Sequence, residues 1–147
     1  VFQLVETSRL LRTHVEQRAR QHGTTRAQWG VMSRLRRQEG LKQAALAEQM
    51  DLQPISLARL LDRLQSQNLI ERREDPSDRR AYRLFLTPEG RALVDDLDAV
   101  RTEIAQDVLG ETDEEAILSA LGTLAAIREQ IRARSDDKAP ASAGNAA

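Results

Sequence analysis

Residues 69–87 read LIERREDPSDRRAYRLFLT, and the fold of the whole chain is decided by how this stretch is understood. Two β-favouring runs, 69–73 and 82–86, flank a turn of Asp75, Pro76, Ser77 and Asp78. Proline presets φ near about −65°, and Asp and Ser side chains bond back to nearby backbone, so the turn signal has a mechanism. The second run alternates, with Tyr82, Leu84 and Leu86 on one face and Arg83 and Phe85 on the other. Five arginines, Arg72, Arg73, Arg79, Arg80 and Arg83, crowd the hairpin against three acids, Glu74, Asp75 and Asp78. An arginine-rich hairpin in a helix-rich chain suggests a wing that touches a phosphate backbone. A solvated ribbon whose arginines serve only solubility would share the composition.

Immediately upstream, residues 43–50 form a short alanine-rich helix with Ala45, Leu46 and Met50 as its apolar contacts. Asp51, Leu52 and Gln53 separate it from Pro54, which suits the first position of a new helix because its missing N–H costs nothing there. That helix, 54 to about 68, carries Leu57, Leu60, Leu61 and Leu64 at i, i+3, i+4 and i+7, while Ser56, Arg59, Arg63 and Ser66 form the opposite face. Two short helices joined by three residues, the second with a basic-polar outer stripe, make a helix-turn-helix pattern. Amphipathic helix pairs of other kinds share much of it. The arginine hairpin that follows directly is what sharpens the assignment.

Outside this centre the pattern is helical. Residues 2–21 place Leu4, Leu11 and Val15 on one stripe with Val5 and Leu10 beside it, and Gly23 closes the helix. Thr25-x-x-Gln28 is a capping box for a second helix whose Trp29, Met32 and Leu35 face inward, and Gly40 ends it before Leu41-Lys42, an edge strand or turn. Thr87-Pro88-Glu89 starts a long helix to about 109, with Val94, Leu97, Ile104 and Val108 on one stripe and Val100 alongside. After Gly110, Thr112-x-x-Glu115 caps a last helix carrying Ile117, Leu121, Leu124 and Ile131, and the tail from Ser135 is too small and polar to pack. The terminal helices surround nothing of their own, so self-association into a symmetric dimer is expected, with an extended monomer as the alternative.

Composition bounds the rest. A chain of 147 residues, 40% apolar, is one domain's worth. It has no apolar run long enough to span a membrane, and its start, VFQLVETSRLL, lacks both the features of a signal peptide and an initiator Met. The absence of cysteine removes disulfides, thiolate metal sites and thiol redox sensing, and a cytoplasmic protein is the default expectation. Net charge is −1, but residues 1–53 carry nine basic against five acidic side chains, 54–91 eight against six, and 92–147 five against twelve. A basic front and an acidic rear suit a protein that presents one side to a polyanion. His14 and His22, eight apart on one helix and with no thiolate available, make a poor metal site, so no metal or other cofactor is expected. No nucleophile–base constellation or glycine-rich phosphate loop appears, so an enzyme is not expected either.

The run from Asp75 to Gly90, DPSDRRAYRLFLTPEG, closely resembles the wing of MarR-family transcription regulators, and LKQAALAEQMDLQPISLARLLDRLQSQNLIERR resembles that family's helix-turn-helix. Within the family, SLARLLDRL and SDRRAYRLFLT are most similar to the SlyA-type branch. The resemblance implies a mainly α winged helix-turn-helix domain over 1–134. Its DNA-binding lobe would span about 25–88, its dimerisation helices about 1–22 and 88–134, and 135–147 would be a disordered tail. It implies a homodimer on double-stranded DNA at an inverted-repeat operator, often released by a small ligand. On the same basis Ser56, Arg59 and Arg63 would read the major groove with Gln53, Pro54 and Ile55 at the helix entry, although Arg63 suits a phosphate equally well. Gln53 stands where the family more often has Ser or a similar cap. In Asp78-Arg79-Arg80 the arginine would probe the minor groove with Asp78 orienting it, and Asp62 could tether the wing or be an ordinary surface charge. The family's effector region would be lined here by His14, Arg18, Trp29 and Met32, suited to an aromatic carboxylate, phenolic acid or its thioester. Trp29 and Met32 equally suit plain core positions, and His14 and Arg18 surface or dimer-interface ones. A winged-helix module that binds protein, and a DNA-binding regulator with no effector, are the alternatives.

Overall fold

The computed structural model describes residues 1–136, in the order α1 (Phe2–Gln21), α2 (Arg26–Arg37), β1 (Leu41–Lys42), α3 (Gln43–Met50), α4 (Pro54–Ser66), β2 (Ile70–Asp75), β3 (Asp78–Leu86), α5 (Pro88–Leu109) and α6 (Glu114–Asp136). Two compact units result, Val1–Ile104 and a second beginning at Ala105. The fold is mostly helical with a three-stranded antiparallel sheet ordered β1-β3-β2, a winged helix-turn-helix.

Local signals account for most boundaries. Thr25 accepts the Gln28 N–H at 3.1 Å while the Gln28 side chain accepts the Thr25 N–H at 3.1 Å, so the capping box forms as its spacing predicts. Asp51 adopts the left-handed conformation (φ 51°) that ends α3 and turns the chain towards Pro54. Thr87 Oγ1 accepts the Gly90 N–H at 3.0 Å and donates to the Asn68 carbonyl at 2.6 Å, which starts α5 and fastens it to the α4–β2 turn. The last helix starts one residue later than its spacing suggested: Asp113, not Thr112, accepts the Ala116 N–H at 3.3 Å. It also continues through Ser135 and Asp136, where a tail was expected; the rest of that tail, 137–147, lies outside the described residues.

The core of the first unit is built from Trp29, Val31, Met32 and Leu35 of α2, Leu46 of α3, Leu57, Leu61 and Leu64 of α4, Ile70, Leu84 and Leu86 of the sheet, and Val94, Leu97, Val100 and Ile104 of α5. Burying each large side chain contributes roughly 1.5–3 kcal/mol. Leu60, expected in the α4 stripe, is only half-buried. The α5 stripe, expected to surround nothing of its own, packs into this core up to Ile104; Val108, beyond it, is exposed. In contrast α1 buries only Ala19 and exposes Phe2, Leu4, Val5, Leu10 and Leu11, and α6 exposes Leu118, Leu121, Leu124 and Ile131.

The hairpin is longer than the two runs suggested. Its strands pair from Ile70↔Leu86 to Glu74↔Tyr82, and then the register breaks so that Asp75 meets Asp78 and Arg79, Arg80 and Ala81 have no partner in β2. The Asp75 side chain turns inward at this break and is fully buried. It accepts the Ser77 hydroxyl at 2.5 Å, the Ser77 N–H at 2.8 Å and Arg83 Nε at 2.8 Å, with Lys42 Nζ of β1 at 3.4 Å. The two Ser77 bonds, and after them the Arg83 guanidinium, hold its carboxyl far below the ordinary carboxylate value of 3.8.

Two outcomes follow for stability. A Cβ on Gly90 would lie 1.9 Å from the Leu69 carbonyl oxygen, a backbone atom that cannot swing away. Gly90→Ala should therefore destabilise the fold by roughly 3 kcal/mol, seen as a melting temperature lower by on the order of 10 °C. Because Asp75 titrates lower in the folded chain than in the unfolded one, its stabilisation is complete above the unfolded value and is lost as pH falls below it. The stability gap between the native chain and Asp75→Asn, measured by urea unfolding, should be flat above about pH 5 and narrow below about pH 4. A gap that widens on acidification would contradict the buried-carboxylate account.

Candidate nucleic-acid interface

Helix α4 divides sharply along its length. Leu57, Leu61 and Leu64 are buried, and Ser56, Arg59 and Arg63, on the other side of the helix, are exposed. Gln53 is the N-cap residue in extended conformation and makes no side-chain capping bond, and Pro54 stands at the first helical position. Ile55 follows, also exposed. Ile55, Ser56, Arg59 and Arg63 thus share one exposed face of α4, with Gln53 and Pro54 at its N-terminal end.

The wing stands beside this face because β2 is tied to α4. Arg72 Nη1 reaches Asp62 Oδ1 at 2.7 Å and Gln65 Oε1 at 3.2 Å, and Nη2 reaches the Ala58 carbonyl at 3.2 Å. Sequence reasoning left Asp62 between a tether and an ordinary surface charge; the tether is what forms, and its cationic partner is Arg72. A signal was available: Arg72 lies two residues from the buried Ile70, so strand alternation turns it to the helix-facing side. Between α4 and the wing runs a groove of about 820 Å³, lined on one side by Pro54, Ala58 and Asp62 and on the other by Arg72, Arg80 and Tyr82.

The wing's arginines have different tasks. Arg73 pairs with Glu71 and lies 4.2 Å from the centre of the Phe85 ring, and Arg83 holds Asp75. Arg79 and Arg80, in the register break, are exposed and make no ion pair among the described residues; the same holds for Arg59 and Arg63 on α4. Asp78 accepts the Arg80 backbone N–H at 2.9 Å, so it shapes the turn through the main chain rather than by gripping the guanidinium. Arg63 lies apart from the groove, in a hollow of about 420 Å³ with Arg20, Thr25 and Gln67. Arg20, six residues beyond His14 on α1 and paired with Glu16 at 2.9 Å, was missed, and no sequence signal links it to Arg63.

The four residues considered for an effector do not converge. Met32 is wholly buried core. Trp29 lines a cavity of about 250 Å³ together with Val15, Arg26, Ser33, Arg101 and Ile104. His14 and Arg18 are half-buried on α1, and Arg18 pairs with Glu103 of α5; neither lines that cavity. Arg101, which sequence reasoning missed, lies 6.0 Å from the Trp29 ring centre and donates to Ser33 Oγ at 3.3 Å.

Comparison with known proteins agrees with this fold. Residues 24–82 match the sequence profile of the MarR family. The chain is 33% identical over 123 residues to the HTH-type transcriptional repressor MdtR of Bacillus subtilis (strain 168), covering 84% of this chain and 78% of the relative. The S. aureus MepR–DNA complex has the same fold, with a TM-score of 0.80 at 23% identity over 88% of this chain and 96% of MepR. CouR of Rhodococcus jostii RHA1, solved bound to p-coumaroyl-CoA, is similar at a TM-score of 0.76 and 28% identity, covering 86% of this chain and 89% of CouR. The chain belongs to the MarR family of transcription regulators, DNA-binding proteins rather than enzymes.

Proposed function

We propose that this chain is a homodimeric repressor that occupies an inverted-repeat operator and is released by a small aromatic or phenolic acid or its thioester. The observation that carries the DNA assignment is the pairing of unneutralised guanidinium groups on two elements that Arg72 ties together, Arg59 on α4 and Arg80 on the wing. On this reading α4 enters the major groove with Gln53, Pro54, Ile55 and Ser56 at its entry, and Arg59 bonds the O6 and N7 of a guanine. Arg80 enters the flanking minor groove, where a narrow A·T-rich segment concentrates negative potential, with Asp78 shaping the turn and Arg79 on the backbone. Arg63, beside Arg20, takes a phosphate.

The dimer is supported by the apolar side chains that α1 and α6 each expose, Phe2, Val5 and Leu10 on one and Leu118, Leu121 and Ile131 on the other. A monomer seldom leaves that much apolar surface uncovered. We assign 1–134 to one such domain, with 25–88 as the reading lobe and about 1–22 and 88–134 as the dimerisation helices. Two half-sites about 10 base pairs apart, centre to centre, would match the two-fold axis. Repression is supported by the likeness to MdtR, a repressor, and by the steric consequence of a dimer covering a promoter.

For the effector, the cavity of about 250 Å³ beside Trp29 suits a single-ring acid, whose carboxylate Arg26 would meet directly and Arg101 by exchanging its exposed pair with Asp98, now at 2.8 Å. His14 and Arg18, off this cavity, would act on it only through the α1–α5 contact that Arg18 makes with Glu103. CouR supplies the precedent for a phenolic thioester on the same fold.

Fluorescence anisotropy on an operator recovered from a random-sequence library, with scrambled DNA as control, tests the DNA reading. Arg59→Ala and Arg80→Ala should each weaken operator binding by roughly 10- to 100-fold, and Arg59→Ala should also relax base preference. Unchanged affinity and selectivity in both variants would overturn the contact assignment. Trp29 is the sole tryptophan, so its fluorescence reports on the cavity directly. Titration with 4-hydroxybenzoate should quench it saturably in the native chain and only weakly in Arg101→Ala; identical titrations in the two would remove Arg101 from the effector site.

A further inference from the structure

Large apolar side chains exposed among the described residues fall into two groups. Most lie at the chain's ends, from Val1 to Leu11 and from Val108 to Ile131, where self-association accounts for them. Between Leu11 and Val108 there are two, Ile55 and Tyr82, and both belong to the surface shared by α4 and the wing. Tyr82 lines the groove beside α4 and carries a hydroxyl. Ile55 is wholly apolar and 66% exposed, and nothing in the first unit's core explains its choice.

We infer that Ile55 reads a thymine by packing against its 5-methyl group in the major groove of each half-site. This rests on the DNA-reading assignment proposed above for α4. Thymine's methyl is the one apolar group on the base edges of the major groove, and a C5-methyl is what an exposed aliphatic side chain can recognise there. Isoleucine is suited to the task because its branched β-carbon restricts χ1 in a helix, so little side-chain freedom is lost on contact. Pro54 at the preceding position, with its fixed φ, further restricts the entry.

The placement relative to Arg59 makes the inference specific. Ile55 precedes Arg59 by four residues and lies on the same ridge, about 6 Å along the helix axis. For a helix lying along the groove this is about two base-pair steps of roughly 3.4 Å. The thymine is therefore expected two or three base pairs from the guanine that Arg59 contacts.

Deoxyuridine scanning isolates the methyl, because uracil lacks that group and keeps every hydrogen-bonding edge of thymine. Each thymine of the library-derived operator is replaced in turn, and binding is measured for the native chain, Ile55→Ser and Ile55→Val. One thymine in each half-site should respond, losing roughly three- to fivefold in affinity per half-site for the native chain. Ile55→Ser should bind the thymine operator as weakly as the native chain binds the uracil one, and should not distinguish the two. Ile55→Val, which keeps a branched apolar side chain, should still distinguish them. A flat scan with sequence-selective binding intact would overturn this inference and leave the DNA reading standing, as would an Ile55→Ser variant with the native sensitivity to uracil. A library that yields no preferred sequence would overturn the DNA reading itself, and this inference with it.

Discussion

The reading surface depends on one half-buried guanidinium. Arg72 projects from a strand of the wing and bonds the recognition helix at three points, the Asp62 carboxylate, the Gln65 amide and the Ala58 carbonyl. As a contribution to stability this ion pair is modest, since the Asp62 side chain is 65% exposed and pairs in that setting are worth at most about 1 kcal/mol. Its consequence is geometric. On the proposed reading, the two elements that would enter adjacent grooves of one duplex are held at a set separation before DNA arrives, so less freedom would be lost on binding. The Thr87 hydroxyl, bonded to both the α4–β2 turn and the start of α5, secures the other end of the same segment.

Around that tie the hairpin sorts its arginines by environment. Asp75, buried at the register break, draws Arg83 and Lys42 to one side of the sheet and is held ionised by Ser77. Arg73 is engaged by Glu71 and stacked over Phe85. What remains for an external polyanion is Arg79 and Arg80, at two of the three positions where β3 has no partner in β2. A regular hairpin would have fixed those side chains on alternating faces; the break lets both lie outside the ladder. Local neutralisation and local irregularity therefore concentrate free positive charge at the tip, in a chain whose net charge is −1.

Much of this was legible in the residues. The caps at Thr25 and Thr87, the three-residue link after Met50, Pro54 at a helix start and the shared face of Leu84 and Leu86 are short-range signals, and the structure uses each of them. Boundaries were less legible, as the cap of α6 at Asp113 in place of Thr112 and the extra strand residues of the wing show. The site was harder to read because five arginines in twelve residues are chemically alike until their neighbours are known. Asp75 looked like a turn-former; the register break buries it against Ser77 and Arg83, and Lys42 of β1, more than thirty residues earlier in the chain, joins it at 3.4 Å. Arg101, some seventy residues from Trp29, could not be placed beside it by any local pattern. Periodicity shows which face of a helix is apolar, not which distant side chain arrives at it.

The central claim is that α4 and the wing act as one reader spanning two grooves, and methylation interference with dimethyl sulfate tests it most directly. The reagent modifies guanine N7 in the major groove and adenine N3 in the minor groove, so one experiment reports on both. On an operator bound by the native chain, interference should appear at guanine N7 in the centre of each half-site and at adenine N3 about half a helical turn, roughly 5 base pairs, to its outer side. Interference confined to one groove would mean that the recognition helix and the wing do not read the duplex together, and would contradict the account.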